Sequence, residues 1–149
     1  MIQLAVADDE ADIRRCASEA YGHYVAAIGR KPAPMLADYA QAIAAGEAYV
    51  ARDEQGDFLG FIVFRPEGGH VLLENVAVLP SVAGRGIGKA LIGFCEAAAR
   101  RQGFCAVRLY TNEKMTDNLA IYPRLGYVEV DRRTEDGFHR VYFEKSLAG

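Results

Sequence analysis

Cysteine is scarce in this chain: the 149 residues hold three, Cys16, Cys95 and Cys105. An odd number without metal-ligand spacing excludes a disulfide framework and a cysteine-built metal site. Each falls inside an apolar pattern, which predicts reduced core residues. Long apolar runs are missing as well. No stretch approaches the ~18 consecutive apolar residues that a membrane-spanning helix needs, and the start Met1-Ile2-Gln3-Leu4-Ala5-Val6 meets acids at once, unlike a secretory signal. The expectation is a cytoplasmic protein with no membrane partner. Positive charge is not in excess either, since Lys and Arg number 17 against 20 Asp and Glu, a formal net charge of −3. Sequence-independent nucleic-acid binding needs a basic face, so no nucleic-acid partner is expected. The pairs Arg100-Arg101 and Arg132-Arg133 read as solvated or helix-dipole charges. His70 and His139 give neither a metal pattern nor a paired nucleophile.

What the chain does have is a hydrophobic content of 51%, enough for one buried core and too short a length for two ordinary domains. Residues 1–149 are therefore expected to form a single domain. After a short strand at 3–6, the acids Asp8 and Asp9 can cap a helix reaching Tyr24, in which Ile13, Cys16, Ala17, Ala20, Tyr21 and Tyr24 recur at helical spacing. Gly29, Pro32 and Pro34 break it, and a second helix spans about 35–45. Strands follow at 48–52, 58–65 and 70–78, joined by short turns that imply antiparallel pairing. A helix over 86–102 should bury Ile87, Leu91, Phe94, Cys95 and Ala98 and turn Lys89, Glu96 and Arg100 to water. The strand at 105–110 lies parallel to 70–78, because a helix crosses between them. A helix at 117–125 and strands at 127–132 and 138–145 close the chain.

The densest local signal is Val76-Ala77-Val78-Leu79-Pro80-Ser81-Val82-Ala83-Gly84-Arg85-Gly86-Ile87-Gly88-Lys89, a strand entering a glycine-rich turn at a helix start. Glycines at alternate positions let backbone N–H groups converge on an anion, and the helix dipole adds to the attraction. A nucleotide-triphosphate loop is excluded, because Ala83 stands where its first glycine belongs and Ala90 follows Lys89. The dinucleotide fingerprint fails too: Gly84 and Gly86 are followed by Lys89, and Gly86 and Gly88 by Leu91. The run is instead similar to the acyl-CoA loop Gln/Arg-x-x-Gly-x-Gly/Ala, here Ala83-Gly84-Arg85-Gly86-Ile87-Gly88. With the preceding Val-x-Pro and the following helix, the chain resembles the GCN5-related N-acetyltransferase (GNAT) family over nearly its whole length.

That resemblance implies an α/β fold: a mixed, mostly antiparallel sheet of about seven strands with two parallel, splayed strands, flanked by about four helices. It implies acetyl-CoA as cosubstrate, a primary amine of a small molecule as acceptor, and direct transfer in a ternary complex. A protein or peptide acceptor and a non-catalytic acyl-CoA sensor are the alternatives. Backbone groups of Val76, Ala77 and Val78 would hold the pantetheine; Gly84, Arg85, Gly86, Ile87, Gly88 and Lys89 would hold the pyrophosphate. Ala83 departs from the usual Gln or Arg, which removes a side chain and leaves the loop. Glu74 matches the register of a general base, and it is equally readable as an ion-paired glutamate on a wet sheet face. Tyr122, four residues before Gly126, matches the tyrosine that protonates the leaving thiolate; an aromatic core plug is the other reading. Met115 stands at the motif's asparagine, leaving Asn118 or Asn112 for the pantetheine. Acceptor-side candidates are Tyr21, His23, Tyr24, Arg30, Lys31, Tyr39 and His139. By the same analogy the terminal strand Phe138 to Lys145 is offered as a homodimer contact.

Overall fold

The computed structural model describes residues 1–147. Its sheet has seven strands in the order β1-β2-β3-β4-β5-β7-β6. These are β1 (Ile2–Leu4), β2 (Ala48–Arg52), β3 (Phe58–Glu67), β4 (His70–Val78), β5 (Ala106–Asn112), β6 (Val128–Glu135) and β7 (Phe138–Ser146). Every pairing is antiparallel except that of β4 with β5. The parallel pair follows from the crossover helix between its strands, as the sequence order predicts.

The helices are α1 (Glu10–Tyr21), the single turn α2 (Val25–Ile28), α3 (Tyr39–Ala44), α4 (Ile87–Arg101) and α5 (Thr116–Arg124). They divide the core between the two faces of the sheet. On one face α4 buries Leu91, Ile92, Cys95, Ala98 and Ala99 against Ile62, Val71, Leu73, Val107 and Leu109. On the other, α1 places Ile13, Cys16 and Ala17 on Val50, Phe61 and Val63, with Tyr39 alongside. No helix among the described residues is long and apolar enough to cross a membrane.

Several local expectations are corrected. The second helix is not continuous from 35: a 3-10 turn occupies Ala33–Met35, and α3 begins after Asp38, whose carboxylate accepts the Gln41 N–H at 3.0 Å. That cap fixes the start of α3, and the prolines stand at the start of the preceding turn. Glu96 does not face water. It is 7% exposed, and its carboxylate accepts the Tyr127 hydroxyl at 2.8 Å and the Lys145 ammonium at 3.0 Å. The closing strands cover that face of α4, and the two donors offset the cost of burying the charge. Cys105 is exposed, because it precedes β5, whereas Cys16 and Cys95 are buried. The strand offered as a dimer contact, β7, lies between β5 and β6 and has no free edge; the outer strands are β1 and β6.

Candidate functional site

The parallel ladder is short. β4 pairs with β5 only through Val71, Leu72 and Leu73 opposite Val107, Arg108 and Leu109, although β4 runs on to Val78 and β5 to Asn112. Beyond Leu73 the strands part. The cause lies in the β3–β4 ladder, where Val63 and Phe64 face Asn75 and Leu73 and leave Glu74 as an extra residue. Such a bulge bends its strand and redirects side chains. Leu73 and Val76 pack toward the α4 face, whereas the adjacent Glu74 and Asn75 line the same cavities on the other. A regular strand would have sent those two side chains to opposite faces.

Parting the strands leaves polar backbone groups in need of partners. Leu79 donates its N–H to the Leu59 carbonyl at 2.9 Å, on the β3 side. By alternation Ala77 also turns to β3, while Val76 and Val78 turn into the opening. The Val76 carbonyl there accepts the Tyr21 hydroxyl at 2.7 Å. Tyr21 thus stands in for part of the missing strand, and burial raises its pKa well above the usual value.

A groove of about 400 Å³ runs from this opening to the glycine loop, walled by Val76, Val78, Gly84, Gly86, Lys89 and Ile121 among others. Gly84 and Gly86 take φ of +84° and +79°, a region in which only glycine is unstrained. Gly86 caps the 15-residue α4 in this left-handed conformation. Among the described residues, no N–H from Gly84 to Lys89 is spent on a loop or cap backbone partner, and the first helical N–H groups have no partner within their helix. Lys89 lies on the groove wall, while Arg85 is exposed and forms no part of it. Tyr24 and Asp117, both on the groove wall, are joined by the Tyr24 hydroxyl, which donates to the carboxylate at 3.2 Å.

Tyr122 sits where this groove meets a smaller recess of about 40 Å³ and lines both. Its ring packs at 6.0 Å from Tyr127 and 5.8 Å from Phe143. The hydroxyl makes no hydrogen bond among the described residues, and burial raises its pKa to about 12. It stays protonated at neutral pH. Glu74 opens on the same recess, half-buried and ion-paired with Arg65 from β3. A guanidinium from the neighbouring strand is therefore its charged partner.

Met115, Thr111 and Asn118 form a small network. Met115, 3% exposed, accepts the Thr111 hydroxyl at its sulfur at 3.3 Å, and Asn118 donates to Thr111 at 3.2 Å. Asn118 lines both cavities; Asn112 lines the recess alone, and its side chain accepts the Lys114 N–H at 2.9 Å. Of the acceptor-side candidates, Tyr39 is buried on Phe61 and bonded to the Pro34 carbonyl, and His139 pairs with Thr134 at 2.9 Å. Arg30 donates to the Asp136 carbonyl at 3.0 Å, His23 stacks on Tyr24 at 3.9 Å, and Lys31 is exposed. Asn75, Tyr110 and Arg140 line the recess and were not legible as site residues. Only the bulge and the strand order bring them there. Among the described residues no three His, Cys, Asp or Glu side chains are grouped to hold a metal.

This architecture is widely shared. A PaiA N-acetyltransferase from Thermoplasma acidophilum, solved with coenzyme A, superposes with a TM-score of 0.79 at 17% identity, covering 98% of each chain. The ribosomal-protein-S18-alanine N-acetyltransferase of Escherichia coli matches all of this chain and 94% of its own, with TM-score 0.76 and 17% identity. A nourseothricin acetyltransferase is 25% identical over 68% of this chain, which spans 65% of that protein, with TM-score 0.63. No protein of curated function matches the sequence. The family model for the acetyltransferase (GNAT) family matches residues 10–127, which hold the parted strands, the glycine loop and Tyr122, and to that family this chain belongs.

Proposed function

We propose that this protein transfers an acetyl group from acetyl-CoA directly to a primary amine of a small molecule. The observation that carries the reading is the early end of the β4–β5 ladder at Leu73 and Leu109, opening onto a groove that leads to a loop of free N–H groups. A pantetheine arm with two amides suits the unpaired edge of β4, as an added strand would. A pyrophosphate suits the amides of Gly84 to Gly88 at the α4 N-terminus, with Lys89 beside them. Asn118 is the side chain best placed to meet the pantetheine.

In this reading the acceptor nitrogen attacks the thioester carbonyl, the C–S bond breaks, and coenzyme A leaves as the thiol. An alkylamine with a pKa about three units above neutrality is ~0.1% deprotonated at pH 7, a deficit of about 4 kcal/mol. Glu74 takes that proton, directly or through water. Backbone N–H groups of Val76 and Val78 face the developing oxyanion, and one such donor is worth about 3 kcal/mol. Tyr122, protonated and unbonded, supplies the proton to the thiolate. The walls that Tyr21, Phe138 and Arg140 give the recess beside Glu74 support a small amine over a peptide lying across the site.

The test is calorimetric titration with acetyl-CoA, followed by an acetyl-CoA consumption screen over small amines and peptides. Saturable 1:1 binding and turnover on a small amine are expected, with Glu74→Gln slower by about 10²-fold and altered in pH profile. Absence of coenzyme A uptake overturns the reading. Turnover on peptides alone moves the acceptor to the protein class, and an unchanged rate and pH profile in Glu74→Gln removes the base.

A further inference from the structure

Arg140 is a guanidinium with more N–H donors than protein partners. It projects from β7, opposite Asn112 across the ladder, and its side chain is 13% exposed. Its head lies 4.4 Å above the Tyr110 ring and 5.8 Å from that of Phe138, which fixes its position without using its N–H groups. Its one ionic neighbour is Glu135 at 3.6 Å, beyond hydrogen-bond range, and that same oxygen already accepts the Tyr142 hydroxyl. The Tyr142 hydroxyl is its other polar neighbour, and these two contacts leave most of the guanidinium's five N–H donors without a protein partner among the described residues.

Those donors face the acceptor end of the site. Arg140 lines the recess with Glu74, Asn75 and Tyr122, and also an adjoining cavity of about 250 Å³ that Glu74 and Asn75 share. The charged groups around this space are Glu74 with its partner Arg65, Arg140 with Glu135 at 3.6 Å, and Asp136 and Arg30 at the outer rim beside Phe138. Asn75 is 7% exposed, and its side-chain amide has no partner among the described residues. A planar anion with two acceptor oxygens is the group that a fixed guanidinium fork matches best. A polycation would meet one free positive charge, and a hydrocarbon amine would leave buried donors unpaired.

Building on the acetyltransferase reading, we infer that the acceptor is an amino carboxylate: its carboxylate pairs with Arg140 while its amine is presented to Glu74. The carboxylate takes no part in the bond changes. It orients the nucleophile, and Arg140 is a specificity-determining residue. The selection is electrostatic and geometric together, because a lysine cannot reproduce the fork.

The experiment measures acetylation of matched pairs that differ by the carboxylate, alanine with ethylamine, phenylalanine with 2-phenylethylamine, and 4-aminobutyrate with propylamine. The carboxylate member is expected to be favoured by about 10- to 100-fold in kcat/KM, chiefly through KM, the scale of a charge-assisted hydrogen-bond pair. Arg140→Met should bring each pair to within about threefold, Arg140→Lys should keep part of the preference, and the KM for acetyl-CoA should hold in both. Should no member turn over, each pair is titrated into coenzyme A-saturated protein, where the same preference must appear in Kd. Carboxylate-free amines that bind or react equally well, or a preference that survives in Arg140→Met, overturn the inference and leave the acetyltransferase reading standing. Failure to bind coenzyme A at all overturns both.

Discussion

Replacing Tyr122 by Phe separates chemistry from stability, because the hydroxyl and the ring have different neighbours. The ring keeps its contacts with Tyr127 and Phe143, and no cavity opens. The hydroxyl has no protein hydrogen bond to lose, so its removal should leave stability within about 1 kcal/mol, or about 2–4 °C in Tm for a chain of this size. Turnover should behave otherwise. If the hydroxyl protonates the leaving thiolate, the variant loses about 10²- to 10⁴-fold in kcat, equivalent to about 3–5 kcal/mol of barrier. With its pKa raised to about 12 by burial, Tyr122 remains a donor across the working range, so the wild-type rate should show no falling limb below about pH 10. The assay is release of the coenzyme A thiol at saturating acetyl-CoA across pH, with calorimetric melting of both proteins. A Tyr122→Phe variant within threefold of wild type refutes the assignment, as does a falling limb between pH 8 and 10 that vanishes in the variant.

Three further outcomes follow from the packing. A Cβ added at Gly60 would stand 2.6 Å from the Ala77 carbonyl oxygen and 3.1 Å from the Val78 Cα, so Gly60→Ala must displace β4 beside the opening. It should lower Tm by roughly 2–12 °C, for an overpacking cost of about 1–3 kcal/mol, and raise the KM for acetyl-CoA; an unchanged Tm contradicts the clash. Of the three thiols, the exposed Cys105 should react with a thiol reagent in the native protein, while burial holds Cys16 and Cys95 at a pKa of about 12. Mass spectrometry should find one label per native chain, and rapid labelling of a second cysteine would show that the core opens. Burial also raises the pKa of Tyr21, Tyr39, Tyr122 and Tyr127. The unfolded chain then loses its phenolic protons first, near pH 10, so stability is intact below that pH and declines as pH climbs toward 12. Denaturant midpoints measured from pH 8 to 11 should be flat and then fall, and a midpoint that holds to pH 11 argues against tyrosine burial.

By itself the sequence determined the element order, the parallel pair and the glycine-rich turn, because each rests on local signals. Apolar period, turn residues and alternate glycines act within a few positions of one another. Gly84 and Gly86 are legible for the same reason, since their positive φ is a demand on the residue itself. Tertiary structure decided the rest, since it depends on partners distant in the chain. The bulge at Glu74 arises from register against Val63 and Phe64, and it turns Glu74 and Asn75 together to one face. The ion pair between Arg65 and Glu74, the burial of Glu96 under the closing strands, and the inner place of β7 all come from strand order. Arg140 is the sharpest case: on a lone strand it reads as a surface charge, and only β5 alongside sets it over Tyr110 at the wall of the recess.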